Sequence, residues 1–191
     1  NDSGDIEFTL KKGVKFSDGS ELTADDVEFT VRALQAAGAD SVYASKVDHI
    51  SGVSVKNDYE LTMRLQDPSD TSIADFNFPI FSASQFSGTK ALVSNTEEPL
   101  IGTGRYKIDS VSLNQSIELS ANEYTFETKP QNTISIEIMP VEDPYPGLVS
   151  AGDLSIVIMD QFNRENISGD KKLKVTQFTS SEFETLGFNC A

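Results

Sequence analysis

One histidine, His49, and one cysteine, Cys190, are all that 191 residues offer for imidazole or thiol chemistry. A serine hydrolase would need His49 as its base. That residue sits in Lys46-Val47-Asp48-His49-Ile50, and no Gly-x-Ser-x-Gly elbow occurs anywhere. A lone thiol forms no internal disulfide, and with a single histidine it makes no zinc site of the usual Cys/His kind. Carboxylates pair at Asp25-Asp26 and Glu97-Glu98. Glycoside hydrolysis needs two such groups flanking the scissile bond, but the first pair reads as a helix cap and the second lies in a loop. Gly102-Thr103-Gly104 is too short to cradle a phosphate, because neither Gly-x-x-x-x-Gly-Lys nor Gly-x-Gly-x-x-Gly is present. It reads as a turn into a strand. No catalytic residue and no metal ligand is assigned, and no cofactor is expected.

The elements that would position a site are more legible. Ile6 to Leu10 reads as a strand, followed by turn residues at Lys12-Gly13 and Ser17-Asp18-Gly19-Ser20. Thr23 is a good N-cap, Asp26 completes a capping box, and Asp25 adds negative charge at the positive end of the helix dipole. Val27, Val31 and Leu34 fall on one helical face, and Gly38 closes the helix. Between Ile50 and Leu65, Val53 and Val55 alternate with polar residues, Asn57-Asp58 turns, and Leu61, Met63 and Leu65 alternate again, which predicts a half-buried hairpin. Asp70 to Ser87 is Phe-rich, with Phe76, Phe78, Phe81 and Phe86, and such a stripe is expected in core or inter-domain packing. Strands are predicted at Tyr106 to Ile108 and, after an Asn114-Gln115 turn, at Ser116 to Leu119. Thr133 to Met139 should be a strand with Ile134, Ile136 and Ile138 pointing inward. Pro144 to Ala151 and Gln161 to Ile167 read as helices; Leu154 to Met159, Leu173 to Phe178 and Glu184 to Phe188 read as strands. This interleaving predicts an α/β or α+β layer, with a soft boundary near Pro99 to Gly102.

Fifteen basic residues against thirty acidic ones give a formal net charge of −15. Such a surface repels phosphate backbones, and no Lys/Arg cluster offsets it, so nucleic acid is excluded as a partner. The acidity suits a soluble secreted or surface protein. With 38% hydrophobic residues, a chain this long can bury roughly 70% of its unfolded surface. No apolar run is long enough to cross a membrane. The sequence opens without a Met, a signal peptide or a lipid-attachment cysteine, which reads as a processed or truncated chain. On composition and spacing alone, a secreted acidic interaction module and a carboxylate-based hydrolase both stay open.

Longer strings narrow this. Phe8-Thr9-Leu10-Lys11-Lys12-Gly13-Val14-Lys15-Phe16-Ser17-Asp18-Gly19-Ser20-Glu21-Leu22-Thr23-Ala24-Asp25-Asp26-Val27 is similar to a pattern of the oligopeptide- and dipeptide-binding proteins of ABC importers, extracellular solute-binding protein family 5. Gly102-Thr103-Gly104-Arg105-Tyr106-Lys107-Ile108 resembles that family's GTGPYK turn and strand, with Arg105 in place of the proline. Gln115 to Leu119 resembles the strand that follows it. Ile136 to Pro140 and Leu148 to Leu154 resemble two further blocks, and Leu186-Gly187-Phe188-Asn189 its LGFN strand. Asn122-Glu123-Tyr124-Thr125-Phe126 stands where the family usually has NPDYW, without the tryptophan.

The resemblance implies a mixed α/β (α+β) chain of periplasmic-binding-protein-like fold, class II and cluster C type, with mixed sheets and flanking helices. It implies a partial chain: residues 1–99 as the small extra domain of the first lobe, and 100–191 as part of the first-lobe α/β domain, ending near the crossover to a second lobe that is missing. The implied activity is non-enzymatic, the capture of extracellular oligopeptides for delivery to a membrane-embedded ABC permease. In that family the peptide lies extended between two closing lobes, hydrogen-bonded much as an added strand would be. Ligand-binding positions carried over are Tyr43 from the small domain, Asp160 and Gln161 at a strand end, and Phe183 near the crossover. The implied location is the extracellular face of the membrane, lipid-anchored in the full-length parent, or the periplasm.

Overall fold

The computed structural model describes residues 5–67, 76–86 and 99–137, with positions 155 and 174. The chain divides into two compact units, Asn1–Ile138 and Met139–Ala191. In the second, Ser155 and Lys174 are described, and both are exposed. The helices and strands expected beyond residue 139 lie outside the described residues, as do Asp160, Gln161, Phe183 and Glu97-Glu98.

The first unit opens with strand β1 (Asp5–Thr9), then helix α1 (Ala24–Ala37), then the hairpin β2 (Ile50–Asn57) and β3 (Glu60–Leu65). The three strands form one antiparallel sheet in the order β1-β3-β2. Register places Ile6 and Val53 beside Met63, and Phe8 and Val55 beside Leu61, so alternation gathers the apolar side chains on one face. Helix α1 covers that face with Ala24, Val27, Val31 and Leu34, and Phe76, Phe78, Ile80 and Phe81 pack on the same cluster. The aromatic stripe is therefore core, as its composition implies. Phe76 meets Phe8 edge-on at 5.1 Å, and Phe86 stacks on Phe29 at 6.0 Å.

The helix begins where the sequence says it should. Thr23 donates its backbone N–H to Asp26 Oδ2 at 2.8 Å, and Asp26 N–H in turn donates to the Thr23 side chain, closing the capping box. Gly38 ends it at φ 49°, a left-handed conformation that suits glycine. Asp26 and Thr30, one turn apart on the buried face, also hold the Phe-rich segment. Asp26 Oδ1 accepts from Ala83 N–H at 2.8 Å, and Thr30 Oγ1 accepts from Phe81 N–H at 2.9 Å.

A second antiparallel sheet runs β4 (Tyr106–Ser112), β5 (Ser116–Ala121) and β6 (Ile134–Glu137). Asn114 makes the β4–β5 turn at φ 57°, a region that asparagine tolerates. Cross-strand register aligns Ile108, Leu119 and Ile134 in one row and Val111, Ile117 and Ile136 in the next. A bulge between Ile108 and Ser110 puts both rows on the same face. The isoleucines of β6 alternate as expected, but they are not inward: Ile134 is 37% exposed and Ile136 45%. Period-2 spacing says which side chains share a face, and among the described residues β6 ends its sheet and its face joins neither buried cluster.

Candidate functional site

Residues 10–22 fold into a tight loop. Phe16 N–H donates to Ser20 O at 2.8 Å, Gly19 N–H to Phe16 O at 3.0 Å, and Leu22 N–H to Val14 O at 2.9 Å. Asp18 Oδ1 accepts from Ser20 N–H and Oγ at 2.9 and 2.6 Å. Gly19 adopts φ +90°, a conformation that favours glycine, and a Cβ there would crowd the Tyr124 ring at 3.0 Å. The loop docks on the segment before and after β4–β5. Ser17 N–H donates to Gly102 O at 2.9 Å, while Lys15 and Lys11 place their ammonium groups over the rings of Tyr124 and Phe126 at 5.7 and 4.6 Å. The residues that carry the family resemblance thus build a scaffold here.

Glu21 ties this loop to the hairpin. Its Oε1 accepts from Gly13 N–H at 3.1 Å and from Tyr59 hydroxyl at 2.7 Å. These bonds, the tyrosine's first, hold the Glu21 carboxyl below its usual value of 4.5 and push the Tyr59 phenol up. A depressed carboxylate adds stability above the unfolded value and loses it as pH falls through the lower folded one. The wild type is therefore expected to lose stability below pH about 4.5 more steeply than Glu21→Gln in urea titrations. Parallel pH profiles would remove the tether.

Tyr43 is the one carried-over ligand position among the described residues. It lies on an exposed knuckle made of two single-turn 3-10 helices, Gly38–Asp40 and Ala44–Lys46. Val42 is 88% exposed and Tyr43 37%. Tyr43 N–H donates to Ser41 Oγ at 3.2 Å and its carbonyl accepts from Lys46 N–H at 3.0 Å, so the turn fixes its backbone. Nothing places it relative to Asp160, Gln161 or Phe183.

Sequence reasoning did not single out an open concavity of about 450 Å³ whose lining includes Ser17, Lys107, Ser120, Tyr124, Lys129 and Asn132. Both lysines are partnered: Lys107 Nζ lies 3.0 Å from Asp109 Oδ1 and Lys129 Nζ 3.3 Å from Glu123 Oε1. Hydrogen bonds from Ser120 and Lys107 hold the Asp109 carboxyl below its usual value. Polar and apolar atoms share its lining, and each of its two lysines is paired with a carboxylate. His49 packs its ring edge-on to Phe76 at 5.8 Å, with Nε2 buried and unpartnered. Asp26 is consumed by capping. Among the described residues, no three His, Cys, Asp or Glu side chains converge as metal ligands.

Comparison with known proteins gives this scaffold a family. The chain is similar to the oligopeptide-binding protein AppA of Bacillus subtilis, 27% identical over 191 residues that cover 96% of this chain and 35% of the relative. The crystal structure of NikZ from Campylobacter jejuni in complex with Ni(L-His) superimposes with a TM-score of 0.79 at 20% identity, covering 90% of this chain and 35% of NikZ. The Bacillus subtilis AppA structure in complex with a nonapeptide gives a TM-score of 0.63 at 27% identity, covering 80% of this chain and 32% of that one. The chain spans about a third of the length of these relatives. The fold is mixed α/β, of the periplasmic-binding-protein-like, cluster C kind. A family profile for the middle region of the bacterial extracellular solute-binding proteins, family 5, matches residues 1–191, and the chain accordingly belongs to that family of binding proteins, which are not enzymes.

Proposed function

We propose that this chain is part of the solute receptor of an ABC importer, and that the receptor captures peptides outside the cytoplasmic membrane and presents them to its permease. The observation that carries the peptide assignment is the 27% identity to an oligopeptide-binding protein along 96% of the chain. Residues 1–99 serve as the small extra domain of the first lobe and 100–191 as part of its α/β domain. Tyr43, Asp160, Gln161 and Phe183 contribute ligand contacts, and a second lobe closes over the peptide. Closure makes the bound form the one the permease reads, because a ligand shifts a two-state equilibrium only through its preference for one state. The receptor is held at the extracellular face by a lipid anchor or is free in a periplasm.

A metal chelate is the second reading, favoured by the 0.79 TM-score to a structure holding Ni(L-His). Against it stands the packing of His49, the sole histidine of the chain, against Phe76. Equilibrium dialysis of the full-length protein against a mixed pool of two- to nine-residue peptides, and separately against Ni(L-His), separates the two. Peptide retention with no nickel retention supports the first reading; nickel retention with no peptide replaces it with the second.

A further inference from the structure

The knuckle that carries Val42 and Tyr43 follows the end of α1 at Gly38 and runs into the core at Val47. Val47, fully buried in the cluster under α1, is its apolar anchor. From there the chain passes through Val47, Asp48, His49 and Ile50, and all four of their carbonyls are caught by two glutamines. Gln35, near the end of α1, donates its Nε2 hydrogens to Val47 O at 3.0 Å and to Ile50 O at 2.7 Å. Gln66, just past β3, donates Nε2 to Asp48 O at 2.9 Å and its backbone N–H to His49 O at 2.9 Å. The amide nitrogen of glutamine carries two hydrogens, and Gln35 spends both on carbonyls three residues apart. The knuckle itself consists of single 3-10 turns, whose hydrogen bonds have poor geometry and hold little alone.

We infer that Gln35 and Gln66 form a clamp that positions the Tyr43 knuckle for ligand, acting through Tyr43 rather than touching ligand themselves. This rests on the reading of Tyr43 as a ligand-contact residue. Both glutamines are exposed, whereas the neighbouring core positions Leu34 and Leu65 are buried. Cutting the clamp therefore releases the knuckle locally and leaves the α1–sheet core in place.

The test uses the full-length protein with Gln35→Met, Gln66→Met and the pair together, which keep side-chain length and remove the three side-chain amide bonds while leaving the Gln66 backbone N–H to His49 O. Amide hydrogen exchange at residues 41–46 should rise about tenfold in the pair, with exchange in α1 and β3 unchanged. Affinity for the best-retained member of the two- to nine-residue peptide pool should fall about five- to tenfold at an unchanged melting temperature. Added to Tyr43→Ala, Gln35→Met should cost no further affinity, because a residue that works through another is silent once that other is gone. Unchanged exchange at 41–46, or an affinity loss that simply adds to that of Tyr43→Ala, overturns the clamp. If Tyr43→Ala alone leaves peptide affinity intact, the ligand-contact reading of Tyr43 fails and the clamp's role in binding falls with it. In that case the exchange experiment still decides whether the clamp holds the knuckle.

Discussion

Replacing Phe16 by alanine is expected to destabilise the first unit by about 3–5 kcal/mol, the usual cost of emptying a phenylalanine site in a core. The side chain is fully buried. It lies with Val14 and Leu22 of its own loop, and against Leu10, Ile80 of the Phe-rich segment and Ile101 before β4. Three stretches distant in sequence therefore meet in one cluster, of which this ring is the largest member, and its removal loosens the loop from both supports. Phe16→Leu, which keeps most of the volume, should cost less than about 1.5 kcal/mol. Urea denaturation read by circular dichroism measures both as midpoint shifts at constant slope. A loss under about 1 kcal/mol for Phe16→Ala would mean that the loop is not packed as described.

Asn122→Ala is the second large effect, at about 2–4 kcal/mol, because it strands two backbone groups at once. Asn122 is fully buried. Its Nδ2 donates to Gly104 O at 2.8 Å and its Oδ1 accepts from Tyr124 N–H at 2.9 Å, while its backbone N–H donates to Arg105 O at 2.9 Å. This one side chain pins the Gly102-Thr103-Gly104 turn to the Tyr124 segment on which the residue 10–22 loop rests. Asn122→Asp keeps the acceptor but sets an oxygen against Gly104 O and buries a charge, so it should be no milder. If both variants unfold at the wild-type urea midpoint, solvent reaches the site and the clip is dispensable.

Local chemistry made much of this fold legible. The Thr23–Asp26 box, the Gly38 stop and the β2–β3 alternation each depend on neighbours within a few residues, and each forms as spacing alone implies. The Phe-rich stretch was legible for another reason: aromatic rings at that density drive burial wherever they land. What spacing could not reveal depends on the path of the chain. Ile134 and Ile136 alternate correctly, yet whether their face is covered is a property of other segments. Gln35 and Gln66 carry no sequence signal, being exposed polar residues near a helix end and a strand end, and only the turn of the 38–50 stretch brings four carbonyls within their reach. Asn122 stood out only as the start of a motif lacking its tryptophan, with no sign of the two side-chain bonds it makes. Of the four carried-over ligand positions, Tyr43 stands on an exposed knuckle, while Asp160, Gln161 and Phe183 fall outside the described residues. The strings that reveal the family, residues 8–27 above all, are scaffold where the structure describes them. This is why they identify the architecture so well and the ligand so poorly.

The most direct test compares this chain with its full-length parent by native mass spectrometry, each offered the same pool of two- to nine-residue peptides. A receptor built from two closing lobes retains peptides only as the parent, and this chain should emerge as the bare mass. If this chain alone holds one defined ligand tightly, the site is self-contained, and the two-lobe account is wrong.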